Sequence, residues 1–259
     1  MGAAPIMIRI RDLRISFDGL DVLRGLDLDV HRGETLCVLG GSGCGKSVLL
    51  KCIAGLLRPE AGSIQVDGTE IVGLKESDLV DVRKKIGFVF QYAALFDSLT
   101  VFENVAYPVR EHRKVSEEEV SKIVKDRLAI VGMDGTQEKL PGELSGGMRK
   151  RVAFARAVSA DPQIVLYDEP TTGLDPTNAQ RVDLLIRELQ RRLGVTGIVV
   201  THDIASAFMV ADRMALMADG VIRALGSPEE FRTSSEPIVR EFLEARMLPA
   251  APSAAVAAP

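Results

Sequence analysis

The sequence predicts an α/β fold: a mainly parallel sheet covered by helices, an N-terminal antiparallel β portion and an inserted helical subdomain. Three observations lead there. Short apolar runs rich in β-branched residues recur at 35–39, 63–67, 86–90, 164–167 and 198–201, with the length and composition of strands buried on both faces. Helix-like patterns separate most of these runs, which is the alternation that builds a parallel sheet with helical layers. Between residues 91 and 160 the strand pattern stops and helical spacing takes over.

Taken in order, Leu13, Ile15 and Phe17, then Leu26, Leu28 and Val30, alternate with polar neighbours, as half-buried antiparallel strands do. The run Thr35, Leu36, Cys37, Val38 and Leu39 leads through a glycine-rich stretch into the helical spacing of Val48, Leu49, Leu50, Ile53 and Ala54. Ser116 and Glu119 form a capping-box pair, opening a helix with Val120, Ile123, Val124, Leu128 and Val131 on one face. A further helix is expected to start near Ser145. Segments 214–218 and 221–225 flank Asp219 and Gly220, a hairpin signal. The expected organisation is one domain over 6–245, with core segments 6–90 and 160–235 and a helical subdomain at about 91–159. A tail at 246–259, nearly all Ala and Pro from 248 onward, has too few large side chains to pack and is expected to be disordered.

The chain has 259 residues, 46% of them hydrophobic, ample for a core. Its formal net charge of −4 argues against a nucleic-acid surface. Nothing approaches eighteen consecutive apolar residues, and the N-terminus lacks the apolar centre of a signal peptide, so a cytosolic chain is expected. Cys37, Cys44 and Cys52 fit no metal-binding or disulfide spacing.

The glycine-rich stretch is Gly40, Gly41, Ser42, Gly43, Cys44, Gly45, Lys46 and Ser47, a full match to G-x-x-x-x-G-K-[ST] between a strand and a helix. Backbone N–H groups of such a loop, with the dipole of the following helix, make a concave site for the phosphates of a nucleotide. Lys46 would lie between the β- and γ-phosphates, and the Ser47 hydroxyl would ligate Mg2+. The core is therefore a P-loop NTPase core, of the RecA-like kind. A second apolar strand, 164–167, ends in Asp168 and Glu169, at the strand end where doubly wound folds keep their ligands. Asp168 is assigned to Mg2+, and Glu169 to polarising the attacking water. Cys44, at a helix N-terminus beside Lys46, is expected to be the most reactive thiol.

From about residue 8 to 244 the chain resembles the ATP-binding subunits of ABC transporters. Besides the phosphate loop and the Asp168–Glu169 pair, Phe17 lies where that family stacks an aromatic on adenine, and Gln91 lies at its Q-loop. Leu144, Ser145, Gly146 and Gly147 match its signature, Gly173, Leu174 and Asp175 its D-loop, and His202 its switch histidine. The resemblance implies ATP and Mg2+ as cofactors and a head-to-tail dimer. Each ATP would lie between one phosphate loop and the other copy's signature, where Ser145, Gly146 and Gly147 form an anion site at a helix start. It further implies that His202 contacts the γ-phosphate, and that Gln91 touches Mg2+ or the water.

The signature departs from the family at Met148, where Gln is usual, and Arg149, Lys150 and Arg151 follow. One reading makes the basic run a solvated helix face. The other makes it a mark of subfamily, because these residues, with segments 91–97 and 101–108, are similar to the ATPases of the Mla and Mce lipid transporters. That likeness implies an MlaE-type permease, an MCE-domain lipid-binding protein and possibly, in Mla systems, a STAS-domain partner, with the chain peripheral on the cytoplasmic face of the inner membrane. The alternative within the family is the ATPase of another ABC importer or exporter; an ABC ATPase acting on DNA or ribosomes is disfavoured by the single cassette and acidic balance, and a P-loop kinase or GTPase by the lack of a visible acceptor or guanine-reading motif. Leu95 and Phe96 are expected to line the permease socket, the alternative being that both pack inside the helical subdomain.

Overall fold

The computed structural model describes residues 4–247. Strands β1 (Ile6–Phe17) and β2 (Leu20–His31) pair antiparallel, and β3 (Thr35–Gly40) runs into helix α1 (Lys46–Ile53). Next come β4 (Ala61–Val66), β5 (Thr69–Glu70), α2 (Glu76–Arg83) and β6 (Ile86–Val89). Three helices then follow without a strand between them: α3 (Val101–His112), α4 (Glu117–Ile130) and α5 (Gly146–Val158). The remainder alternates β7 (Ile164–Asp168), α6 (Pro176–Leu193), β8 (Thr196–Thr201), α7 (Ile204–Val210), β9 (Arg213–Ala218), β10 (Val221–Gly226), α8 (Pro228–Arg232) and α9 (Pro237–Met247).

Two sheets result. One has the order β2-β1-β4-β5 and is antiparallel; the other has the order β10-β9-β3-β8-β7-β6, parallel except for the β9–β10 hairpin. The larger sheet is the middle layer, and the period-2 alternation of its strands splits the core in two. Leu36, Val38, Leu166, Ile198 and Val200 face the antiparallel sheet and α1, while Leu39, Val165, Tyr167, Val199 and Leu216 face the helices. Every residue of β3, β7 and β8 is consequently buried, which is why those runs look continuously apolar in sequence.

The run at 86–90 forms the edge strand β6, with Ile86 and Phe88 only partly buried, and so departs from the expectation of a strand covered on both faces. The run at 63–67 departs from it further. It forms part of β4, paired antiparallel to β1, with Ile64 and Val66 buried and Ser63 and Gln65 facing outward. The five residues Ser63, Ile64, Gln65, Val66 and Asp67 alternate polar and apolar, which is the period-2 pattern of a strand with one open face. The Ser116–Glu119 pair is also only half a capping box: the Ser116 hydroxyl accepts from the Glu119 amide at 3.3 Å, while the reciprocal bond is absent from the cap. A complete box opens α3, where Thr100 Oγ1 accepts from the Glu103 amide at 3.1 Å and Glu103 Oε2 accepts from the Thr100 amide at 2.8 Å. Pro108 inside α3 disguises this helix in sequence. Buried Asn104 ties α3 to the segment before it, donating to the carbonyls of Phe96 and Leu99 and accepting from the Phe96 amide. Residue 247 closes α9, so the expected tail from 248 onward lies outside the described residues.

Helix α5 lies unusually close to β6. A Cβ at Gly87 would overlap the carbonyl oxygen of Ala157, a backbone atom that cannot step aside. Gly87→Ala is therefore expected to destabilise the chain by about 1–3 kcal/mol through overpacking. A thermal melt should show a fall in Tm of several degrees; an unchanged Tm would mean that the helix shifts freely.

Candidate active site

The ends of β3, β7 and β8 lie side by side because the strands are parallel neighbours, and their C-terminal residues open onto one place. From β3 the chain turns through 41–45, with Gly43 at φ 78° and Gly45 at φ 104°, backbone that L side chains rarely adopt. Gly40 is also sterically required: a Cβ there would lie 2.6 Å from both Cys44 Sγ and the Met217 carbonyl oxygen. Lys46 follows, nearly fully buried, donating to the carbonyls of Gly40 and Gly41 at 2.9 Å each and lying 3.7 Å from Glu169 Oε1.

At the end of β7, Asp168 Oδ1 accepts from the Ser47 hydroxyl at 2.7 Å. Burial raises the Asp168 pKa, and the charge of Glu169 adds to that rise, while the bond from Ser47 opposes it. Glu169 adopts φ 46°, left-handed backbone that an L residue holds only under constraint. Its own amide is tied to Val200 O at 2.9 Å. Its buried carboxylate accepts from the hydroxyls of Thr172 at 3.1 Å and Thr201 at 3.3 Å, and Oε2 lies 2.9 Å from His202 Nδ1. His202 stands just beyond β8, and Asp203 after it caps α7 by accepting from the amides of Ala205 and Ser206. Lys46, Ser47, Asp168, Glu169 and His202 are thus in one contact set.

The remaining sequence-derived residues lie apart from that set. Ser145 caps α5, accepting from the Met148 amide at 3.3 Å, so Gly146 and Gly147 occupy the first turn of a helix whose N-terminus is exposed. Asp175 caps α6, accepting from the backbone and side-chain nitrogens of Asn178 at 3.1 and 2.5 Å. Phe17 ends β1, 43% exposed, and Gln91 is half-buried two residues after β6. Among the described residues, the hydrogen bonds of the cluster run to none of these.

The basic run is only in part a solvated face: Arg149 is exposed, but Lys150 turns inward. Lys150 is buried and donates to the carbonyls of Pro170 and Thr172 at 2.7 Å each and to that of Glu169 at 3.4 Å. Burial pushes its pKa down to about 8 against the raising effect of Glu169. Arg149 donates to Leu144 O at 2.6 Å and Arg151 to Gly132 O at 3.0 Å, while Met148 packs against the helical core. Arg156, six positions along the same helix, donates to the carbonyls of Ala93 and Ala94 at 2.9 and 2.7 Å, holding two residues with positive φ just after Gln91. Sequence reasoning named Lys150 only as part of the basic run, without its buried contacts, and missed Arg156. A signal existed, since Ala153 and Phe154 lie three and four positions after Lys150 and mark its face of the helix as buried.

Leu95 packs inward against the helical core, which corrects its place in an exposed socket. Phe96 does lie at the surface, its ring centroid 5.1 Å from that of Tyr107 and beneath the Arg156 guanidinium. Together with Phe88, Phe90 and Ala94 they line a groove of about 290 Å³ between the parallel sheet and the helices.

Comparison with known proteins agrees with this geometry. A family model described as "ABC transporter" matches residues 23–172. The probable ribonucleotide transport ATP-binding protein mkl of Mycobacterium leprae is 42% identical over 243 residues, covering 94% of this chain and 70% of the relative. The intermembrane phospholipid transport system ATP-binding protein MlaF of Escherichia coli is 38% identical over 238 residues, covering 92% of this chain and 88% of the relative. Among solved structures, an ATP-binding cassette in a dimeric post-hydrolysis state bound to ADP and Pi superposes with a TM-score of 0.79 and 31% identity, over 86% of this chain and 99% of that one.

The three thiols differ sharply in setting. Burial drives the Cys37 pKa far above the ordinary thiol range and pushes Cys52 up to about 12, whereas Cys44 is only half-buried within the phosphate loop. At pH 8, a thiol reagent should modify Cys44 first and leave the other two untouched in the folded chain. Mg-ATP should slow the Cys44 adduct; mass mapping that finds equal labelling with and without nucleotide would contradict the assignment of this loop.

Proposed function

The chain belongs to the ABC transporter family, and from that membership we propose that it is the ATP-hydrolysing motor subunit of a lipid transporter, working in pairs beneath a membrane permease. The observation carrying the catalytic half is the contact set of Lys46, Ser47, Asp168, Glu169 and His202 at three adjacent strand ends. The lipid half rests on the likeness to MlaF, whose name states phospholipid transport. It also rests on Met148 and the basic residues after it. The mkl name attaches ribonucleotide transport to that relative; a subunit that handles only ATP leaves the choice of cargo to its permease.

Each residue then has a defined task. The amides of 41–46 receive the phosphates, and Lys46 exchanges the carbonyls of Gly40 and Gly41 for phosphate oxygens, which as anions are the stronger acceptors. Ser47 Oγ and Asp168 Oδ1, hard oxygen donors 2.7 Å apart, fit Mg2+, with Gln91 able to add an amide oxygen from its loop. Bound there, Mg2+ would neutralise charge on the β- and γ-phosphates. Glu169 accepts a proton from the attacking water while the hydroxyls of Thr172 and Thr201 fix its carboxylate, and His202 bridges that carboxylate to the γ-phosphate. Phe17 offers a face for adenine.

The start of α5 at Ser145, Gly146 and Gly147 is exposed and, among the described residues, has no hydrogen bond to the cluster at the phosphate loop, which supports a second copy supplying the γ-phosphate there, with Asp175 at the same seam. Two-fold pairing makes two equivalent sites. The groove beside Phe96 and Tyr107 suits a helix of an MlaE-type permease, with an MCE-domain protein and a STAS-domain protein as further members of the assembly. Among the described residues no helix is long and apolar enough to cross a membrane, so attachment at the cytoplasmic face of the inner membrane would be through that permease.

Glu169→Gln keeps the shape of the base and removes its charge. It is expected to retain ATP affinity while lowering kcat by about a hundredfold or more; turnover within a few-fold of wild type in the assembled complex would assign the base elsewhere. For the groove, Phe96→Asp combined with Tyr107→Asp should leave the melt and ATP binding near wild type but weaken capture of the permease by about 2 kcal/mol per anchor. Undiminished capture would move the docking surface off this groove.

A further inference from the structure

A buried ammonium group at a hydrolytic site needs a reason, and Lys150 has one of unusual form. It sits on the second turn of α5, 7% exposed, and its three N–H donors meet the carbonyls of Glu169, Pro170 and Thr172. Carbonyl dipoles, rather than a salt bridge of its own, hold this charge in place. All three acceptors belong to the turn that leaves β7. Packing alone would be served as well by an apolar side chain of the same length, without the penalty of desolvating a charge.

That turn carries the catalytic geometry. Thr172, whose carbonyl Lys150 holds, donates through its hydroxyl to Glu169 Oε2 at 3.1 Å. The turn continues through Gly173, at φ 78°, to Asp175, which caps α6. Near the start of α6, Asn178 lies 3.5 Å from where a Cβ at Gly147 would stand, so the first turns of α5 and α6 are neighbours. A shift of α5 would therefore move the lysine, and with it the base.

We propose that Lys150 is a positioning residue for ATP hydrolysis: its ammonium clamps the backbone after β7 to α5, so that the helix bearing Ser145, Gly146 and Gly147 and the carboxylate of Glu169 move as one body. The clamp lets nucleotide contact at the start of α5 in one subunit set the geometry of the base in the same subunit, and so links the two ATP sites of a pair. This rests on the ATPase reading above. Lys150 touches no nucleotide in it, so its loss should spare binding and act on turnover.

The test compares full-length wild type with Lys150→Met, which keeps the stem and loses the donors, and Lys150→Arg, which keeps a charged donor. Fluorescent-nucleotide titration, steady-state kinetics and hydrogen–deuterium exchange are measured on each. For Lys150→Met the expectation is a Kd and KM within twofold of wild type and a kcat lowered roughly tenfold to a hundredfold, as a slight misplacement of a catalytic group produces. Exchange should rise in residues 170–176 but not in α4, and Lys150→Arg should recover part of the kcat. A Met variant with kcat within twofold of wild type would overturn the proposal. So would exchange rising equally across the chain, or an Arg variant as impaired as Met. If Lys150→Met does not fold, Lys150→Leu, which also lacks donors, carries the same comparison. Exchange reads the clamp without turnover, so a wild-type chain that fails to hydrolyse ATP would count against the ATPase reading and not against the clamp.

Discussion

Two adjacent carboxylates at the end of an enclosed strand must be bonded or neutralised, and much of this chain is arranged to meet that demand. Asp168 and Glu169 are both buried, and so is every residue of the strand that leads to them. Ser47 bonds one; Thr172, Thr201, His202 and the nearby ammonium of Lys46 hold the other. These partners come from α1, the turn after β7, and the end of β8, which can meet only because β3, β8 and β7 are parallel neighbours. The topology is thus what the site requires. The left-handed backbone of Glu169 is the local strain that the requirement leaves behind.

Helix α5 is the second organising element. Its N-terminus is capped by Ser145 and exposed, its second turn sends Lys150 to the carbonyls after β7, and Arg156 near its end holds those of Ala93 and Ala94. One rigid rod therefore touches the segment that follows Gln91, the segment that follows Glu169, and the surface offered to a second copy. Charged hydrogen bonds to carbonyls suit this task, being strong, directional and insensitive to side-chain identity at the acceptor. The close approach of β6 and α5 at Gly87 fixes the same rod from behind.

Most of this architecture was legible in the sequence wherever a residue's identity and its spacing gave the same message. The phosphate loop, the acids closing β7, the cap at Ser145 and the hairpin at Asp219 each carry a local signature, and the parallel strands announced themselves by unbroken apolar runs. What was not legible depended on tertiary partners. Lys150 and Arg156 look like surface cations until the carbonyls they serve are in place. Helix α3 was hidden by Pro108, whereas the one open face of β4 was legible in the alternation of Ser63 to Asp67 and was overlooked. Leu95 and Phe96 are adjacent yet point to opposite fates, which composition cannot separate.

On the proposed function, one chain holds the base, the lysine and the magnesium ligands of a site that only a second copy can complete. The specific ATPase activity of the purified chain, measured against its own concentration and alongside its sedimentation, tests this directly. Activity per chain should climb with concentration, in step with a nucleotide-dependent dimer, and fall away where the chain sediments as a monomer. A specific activity that stays constant through the monomeric range would contradict the account, because it would mean that a single copy closes its own site.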